Sequence, residues 1–340
     1  MGRKKKKINN KIKKTILGIV FFIIIYILSE FGVFTKIDYI VSSTGLANIV
    51  DTSETSSVSI TPQVKENNEI IEKVSENISI NNDKLNIIFF DVGQADCQLI
   101  LYKNKTMLID AGNSSDGEYI VNGLKGLGIT TLDYVIGTHV HEDHVGGMNQ
   151  IIDSFEIGEF YLPYNSTTTA NYYKKLLTSL TNKSEAINEA TIGDKFSIED
   201  LNFEIMSVDN TEPDNINNTS IIIEMTYKKM KYLFMGDAEV EIEQARRWND
   251  VDLLKVGHHG SNTSSSIDFL NQVLPKIAVI CVGEGNSYGL PKNKILKRFE
   301  EIGSTIYRTD KDGTLQIISD GEMNEVVKID INFDSAQTIK

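Results

Sequence analysis

Three of the five histidines in this 340-residue chain lie within the six positions His139-Val140-His141-Glu142-Asp143-His144. They follow directly on the strand-like run Leu132-Asp133-Tyr134-Val135-Ile136-Gly137. Imidazole nitrogens and carboxylate oxygens are the donors that zinc, manganese and iron prefer. In an extended loop at a strand end, His139 and His141 turn toward one ion while Asp143 and His144 reach a second. A chain this poor in histidine does not concentrate it on a solvated surface without a reason, so the cluster is read as a metal site.

The remaining two histidines are adjacent, in Leu253-Leu254-Lys255-Val256-Gly257-His258-His259-Gly260-Ser261, where an apolar strand breaks into a glycine turn. Between the two clusters, Tyr232-Leu233-Phe234-Met235 ends in Gly236-Asp237. The same order recurs three times: buried strand, turn, ligand-type residue. Strand ends give side chains little positional freedom, which a metal centre requires. Asp237 alone reads equally well as a helix N-cap before Ala238-Glu239-Val240. With two histidine clusters beside it, it is read as a carboxylate bridging the ions.

These motifs resemble those of the metallo-β-lactamase superfamily, and within it the branch containing the hydrolase domain of the competence protein ComEC. Phe90-Asp91-Val92-Gly93-Gln94-Ala95-Asp96, Leu108-Ile109-Asp110-Ala111-Gly112, Asn286-Ser287-Tyr288-Gly289-Leu290-Pro291 and Tyr307-Arg308-Thr309-Asp310-Lys311-Asp312-Gly313 extend the likeness from about Leu85 to about Ile317. The resemblance implies an α/β fold, the αββα sandwich of two sheets flanked by helices. It also implies two divalent ions, zinc or alternatively manganese, and hydrolytic chemistry on DNA or on a phosphorylcholine-bearing wall polymer. Two departures stand out. No histidine lies between His144 and His258, where many members supply one, and Asp209 is the nearest acidic substitute. Leu290 stands where related proteins commonly show Gly-His-Pro.

The amino terminus reads differently. Eight basic residues and no acidic one occupy positions 1–14, followed by an apolar run from about Ile16 to Leu28 that extends toward Phe34. That run approaches the roughly 20 residues a bilayer-spanning helix needs. The basic flank predicts a cytoplasmic amino terminus and an extracellular remainder. The expected organisation is a basic tail at 1–14, a signal-anchor helix at 15–34, a polar linker at 35–84 and a hydrolase domain at 85–335. Signal-peptide cleavage near Gly45-Leu46-Ala47 is the alternative, giving a secreted protein.

Within the domain, strands are expected at Leu85–Asp91, Cys97–Tyr102, Thr106–Asp110, Tyr134–Gly137, Phe203–Ser207, Ser220–Tyr227, Lys231–Met235, Leu253–Val256, Ile277–Val282 and Leu315–Ile318. Helices are expected at Glu118–Leu127, Asn171–Leu180, Val240–Trp248 and Asn293–Ile302. Cys97 and Cys281 both sit in apolar strand contexts and are read as buried small hydrophobes rather than a disulfide. The chain carries a formal charge of −13; without its eight amino-terminal bases, 26 basic face 47 acidic groups, or −21. Such a domain repels polyanions at long range, so nucleic-acid cleavage would need a local groove, for which Lys255, Lys292, Lys294 and Arg308 are the candidates.

The expected metal ligands are His139, His141, Asp143, His144, Asp237 and His258. Asp143 also orients the attacking water, and His259 donates a hydrogen bond or proton. The roles of His258 and His259 are interchangeable on sequence alone. Ser261, Asn286 and Tyr288 are candidate substrate contacts, although Asn286 reads equally well as turn chemistry. The expected activity is that of a membrane-anchored extracellular phosphodiesterase. A wall-polymer esterase and a binding module with a degenerate metal site are the alternatives.

Overall fold

A computed structural model describes residues 71–75, 78–163, 167–209 and 214–329. The chain divides into two units, 1–66 and 67–340, and all described residues belong to the second. The expected anchor at 15–34 and most of the expected linker lie outside the described residues. Among the described residues, no helix is long and apolar enough to cross a membrane.

The first half of the domain runs β1 (Ile71–Ser75), β2 (Leu85–Phe89), β3 (Gln98–Tyr102), β4 (Lys105–Ile109), α1 (Gly117–Gly126), β5 (Thr131–Ile136), α2 (Glu142–Val145), α3 (Met148–Ser154), β6 (Glu156–Leu162), α4 (Asn171–Lys183), β7 (Ile187–Glu189) and β8 (Lys195–Ile198). The second half runs β9 (Leu201–Ser207), β10 (Ile222–Tyr227), β11 (Met230–Phe234), α5 (Val240–Gln244), β12 (Leu253–Lys255), α6 (Ile267–Val273), β13 (Ile277–Ile280), α7 (Asn293–Glu301), β14 (Thr305–Arg308), α8 (Thr309–Asp312), β15 (Thr314–Ser319) and β16 (Asn324–Ile329).

Two sheets form. One has the order β1-β16-β15-β2-β3-β4-β5-β6-β7, the other β14-β13-β12-β11-β10-β9-β8. Strand alternation explains the layering, because successive side chains leave a strand on opposite faces. Ile87 and Phe89 of β2 join Met107, Ile109, Phe203, Ile223 and Phe234 in the core between the sheets, while Ile88 and Phe90 face the helices. Phe89 and Phe234 stack across the inter-sheet core with ring centroids 6.4 Å apart. On the first sheet's outer face lie Ile120 and Leu124 of α1, Ile151 of α3, and Leu176 and Leu180 of α4. Phe269 and Leu270 of α6, with Ile295 and Phe299 of α7, cover the second sheet. The αββα sandwich is the observed fold.

Three local differences from the sequence reading have physical causes. Residues 71–75, expected to be linker, form β1, pairing parallel with β16 at the sheet edge. A short polar-apolar run carries little strand signal of its own and gains its ladder bonds from a partner some 250 residues away. The second cause operates in the histidine cluster: the chain is extended only to His141, which caps α2, so Asp143 and His144 sit on a helical turn. Finally, α2, α3 and β6 follow one another without loops long enough to punctuate them in sequence.

Strand polarity positions the site. Strands β4, β5 and β6 are mutually parallel, as are β11, β12, β13 and β14. Residues that follow β4, β5, β11 and β12 therefore emerge at strand carboxyl ends, where open α/β sheets gather their ligands.

Candidate metal centre

At the end of β11, Gly236 has φ +52, and a Cβ there would come within 2.8 Å of Ser220 Oγ. This close approach lets the Asp237 amide donate to Ser220 Oγ at 3.0 Å, which fixes the aspartate's backbone. Asp237 Oδ2 then lies 3.3 Å from His144 Nε2, 3.5 Å from His259 Nε2, 3.9 Å from His258 Nε2 and 4.0 Å from His139 Nε2. One carboxylate oxygen thus faces four imidazole nitrogens.

The inner part of this arrangement is Asp143, His144, Asp237 and His259, whose ligand atoms lie within 4.8 Å of one another. His144 Nδ1 donates to Asp110 Oδ2 at 2.7 Å, which leaves Nε2 facing inward. Asp110 is held in turn by the Thr138 amide and hydroxyl, each at 2.8 Å. His259 Nδ1 donates to the Cys281 carbonyl at 2.8 Å, so its Nε2 points at Asp143, 3.4 Å away, and at Asp237. These outward hydrogen bonds set the tautomers that metal-binding imidazoles need. His144 Nε2, His259 Nε2 and Asp237 Oδ1 are buried without hydrogen-bond partners. Buried polar atoms are normally paired, and orphans that converge on one point fit a divalent cation there.

The electrostatics agree with that fit. Burial would lower the His144 and His259 imidazoles, but Asp237, with Asp110 for the former and Asp96 for the latter, holds both above the usual histidine range. Burial would likewise raise Asp143 and Asp237, but the His144 and His259 charges hold both carboxyls below the usual range. Burial pushes His139 and His141 downward, keeping them neutral. Their rings meet edge to face at 4.8 Å, with His139 Nε2 3.0 Å from His141 Nδ1.

His258 sits at the rim. Its Nε2 is 3.9 Å from Asp237, while Nδ1 faces Glu239 Oε1 and Thr263 Oγ1, each at 3.0 Å. His258 and His259 both adopt left-handed backbone, with φ 48 and 50. Such backbone is uncommon for non-glycine residues, and two in succession are held here by the turn Gly257–Gly260. The sequence reading gave the ligand role to His258 and the donor role to His259. The structure places His259 in the inner group instead, because only its Nδ1 reaches a buried carbonyl, leaving Nε2 directed at the centre.

Of the candidate substrate contacts, Tyr288 reaches the site. It is 68% exposed and lines a cavity of about 420 Å³ with His141, Asp143, Asp237, His258 and His259. Glu142, Tyr172, Asn217 and Leu290 line it too. Neither Ser261 nor Asn286 is among the lining residues. Ser261 Oγ pairs with Thr263 Oγ1 at 3.1 Å. The Asn286 amide is used within its own loop, bonding Gly283 O, Leu290 O and Leu290 N. The expected basic groove changes as well. Lys255 is wholly buried, paired with Asp96 and 3.0 Å from Gly236 O. Arg308 pairs with Asp310, and Lys292 Nζ donates to Tyr288 O at 2.6 Å.

Asp96, Asp110, Asn217, Glu239 and Lys255 were not assigned to the site from sequence. Asp96 and Asp110 stood inside recognised phrases, and that was their only signal. Burial would lower the Lys255 ammonium, but Asp96 and Asp237 hold it above the usual lysine range.

Residues 90–284 match the Metallo-beta-lactamase superfamily. The chain belongs to that superfamily. Among curated proteins it is similar to ComE operon protein 3 of Bacillus subtilis, 30% identical over 248 residues, covering 66% of this chain and 32% of that protein. Recombination protein 2 of Haemophilus influenzae is 31% identical over 234 residues, covering 67% of this chain and 28% of that protein. These relatives are ComEC-like, and the chain spans about a third of their length or less. Of solved structures, Igni18, a metallo hydrolase from Ignicoccus hospitalis, matches with 15% identity over 68% of this chain and 98% of that one, TM-score 0.44. The metallo-beta-lactamase fold protein YhfI of Bacillus subtilis matches with 10% identity over 69% of this chain and all of that one, TM-score 0.46. The chain is a metallo-beta-lactamase-fold protein of the metal-dependent hydrolase type with ComEC-like relatives.

Proposed function

We propose that this protein is a membrane-anchored, extracellular, metal-dependent phosphodiesterase. The observation that carries the reading is Asp237 Oδ2, set among four imidazole nitrogens beside orphaned His144 Nε2 and His259 Nε2. Two divalent ions, zinc or manganese, would be held there by Asp143, His144, Asp237 and His259 on one side and by His139, His141 and Asp237 on the other. Such ions supply an acidified water and charge neutralisation to a scissile group that is already anionic. Among the protein's own groups, Asp143 stays ionised and orients the water as a hydrogen-bond acceptor. His258, at the rim with Glu239 behind its Nδ1, is placed to donate toward a leaving alkoxide.

DNA is the first substrate candidate, since the curated relatives are ComEC-like. The basic amino terminus and apolar run at 15–34 support the anchor and the outward-facing domain. A second reading, an esterase acting on choline-bearing wall polymer, is favoured by the lining of Tyr172, Tyr288 and Glu142, because aromatic faces and carboxylates attract quaternary ammonium groups. The test is a panel on metal-replete full-length protein: DNA, RNA, a nitrophenyl phosphodiester, a phosphorylcholine ester and a β-lactam. Cleavage of the phosphodiester is expected. Turnover of the β-lactam alone would overturn the assignment, and turnover restricted to the choline ester would select the second reading. Protease added to intact cells should cut at 40–66; full protection beside a cleaved surface control would reject the topology.

A further inference from the structure

The outer half of the centre is short of a donor. His139 Nε2 is 4.0 Å from Asp237 Oδ2, the bridging carboxylate. Asp209, the acidic substitute nearest in sequence, is not among the residues lining the pocket, whereas Asn217 is. Asn217 is 8% exposed, and its Oδ1 is buried with no hydrogen-bond partner.

The orientation of that amide follows from its neighbours. Asn217 Nδ2 donates to Glu239 Oε1 at 3.0 Å; turning the amide over would set its carbonyl against the carboxylate, so Oδ1 is the atom left free. The turn Ile216–Thr219 is equally fixed. The Asn217 amide donates to Asn215 Oδ1 at 3.1 Å, and Asn215 Nδ2 donates to Glu239 Oε2 at 2.8 Å. The Asn217 carbonyl accepts from the Ser220 amide at 3.1 Å. Ser220 Oγ lies 3.4 Å from His139 Nδ1 and holds the Asp237 amide. Through Ser220 this turn ties Asn217 to His139 and to the bridging carboxylate.

A carbonyl acceptor that is rigidly held and unpaired calls for a hydrogen-bond donor or a cation. A scissile phosphodiester offers no donor, and His139 and His141 are neutral nitrogen donors themselves. We propose that Asn217 Oδ1 is a ligand of the ion on the His139–His141 side, completing a set of two imidazoles, one shared carboxylate and one neutral amide oxygen. The inner position has two carboxylates and the outer one carboxylate, so the outer ion binds second and more weakly. Its amide oxygen also shifts preference from zinc toward harder manganese.

This inference rests on the two-ion reading above, and the test separates the two. Manganese(II) and zinc(II) uptake by the full-length protein is measured after equilibrium dialysis, with manganese spin coupling as a second readout. The wild type is expected to take two ions in distinct steps, the second tighter for manganese than its zinc counterpart is relative to the first. Asn217→Ala should weaken the second manganese by tenfold or more and leave the first unchanged. Asn217→His should restore the second step and turn it toward zinc. Asn218→Ala removes the acceptor of the Glu239 amide but keeps Asn217 and its Asn215 cap, and should change the second step less than threefold. Unchanged affinities in Asn217→Ala, or an equal loss in Asn218→Ala, would overturn the ligand role while leaving the two-ion reading intact. A wild type that binds no ion, or only one, would overturn both.

Discussion

The two halves of the metal centre are built differently. Of Asp143, His144, Asp237 and His259, three are braced from behind by a buried partner: Asp110 for His144, the Cys281 carbonyl for His259, Ser220 for the backbone of Asp237. His139 and His141 lean on each other and on hydroxyl groups, and His258 faces the rim through Glu239. The inner half is thus preorganised by hydrogen bonds that fix ring tautomers, whereas the outer half depends on a turn and a neutral amide. In a centre of this kind, bracing determines which ion stays bound, and looseness determines which side can exchange ligands with substrate.

The largest expected effect erases the comparison altogether. Asp237→Ala removes the one oxygen facing both halves, so on the proposed two-ion reading both ions should be lost, and the proposed phosphodiesterase activity with them. Metal analysis of the purified variant checks this, and wild-type metal content would remove the bridging assignment. Next, Lys255→Met leaves the Asp96 carboxyl, which burial already raises, in a buried site without its partner. Breaking a buried pair from one side costs about 3–5 kcal/mol, so urea unfolding of metal-free protein should show a loss of that order. Asp96→Asn in the same background should recover most of it; no recovery would mean Lys255 acts through Asp237 instead.

Asp110→Asn sharpens the inner half. It keeps the shape but weakens the brace on His144, and changes of this kind cost roughly 10–100-fold in metal affinity. Affinity of the tighter ion should fall within that range, while the weaker ion should change less. A uniform loss at both ions would deny that the halves are separately braced. Smallest is His258→Asn, which should lower metal affinity only slightly, by less than about tenfold, because Nε2 lies at the rim, 3.9 Å from Asp237. His259→Asn should exceed it. The reverse order would return the ligand role to His258.

Much of the candidate site could be read along the chain because its ligand-type residues come as local phrases at strand ends. His139, His141, Asp143 and His144 are neighbours in sequence, and Asp237 and the His258-His259 pair each follow an apolar strand, with the ligand role expected of His258. Short apolar runs made β2 to β5 and β9 to β13 visible, since strands with an inter-sheet core on one face and helices on the other are buried almost continuously. What stayed hidden has partners far away in sequence. The strand at Ile71–Ser75 exists through β16. Lys255, which looked like a groove cation, is buried because Asp96 reaches it from the other half of the domain. Asn286, by contrast, is a loop staple to Gly283 and Leu290, the turn chemistry that the sequence offered as an equal reading.

By itself, the sequence carried the resemblance that implies an α/β sandwich of the metallo-beta-lactamase kind, and a histidine–aspartate cluster, because motifs and ligand chemistry are local properties. Only the tertiary structure decided which of two adjacent imidazoles faces that centre, and that a neutral asparagine lines the same pocket as His141. Those outcomes depend on backbone handedness at His258 and His259 and on hydrogen bonds to Cys281 and Glu239, contacts that exist only once the two sheets have closed on each other.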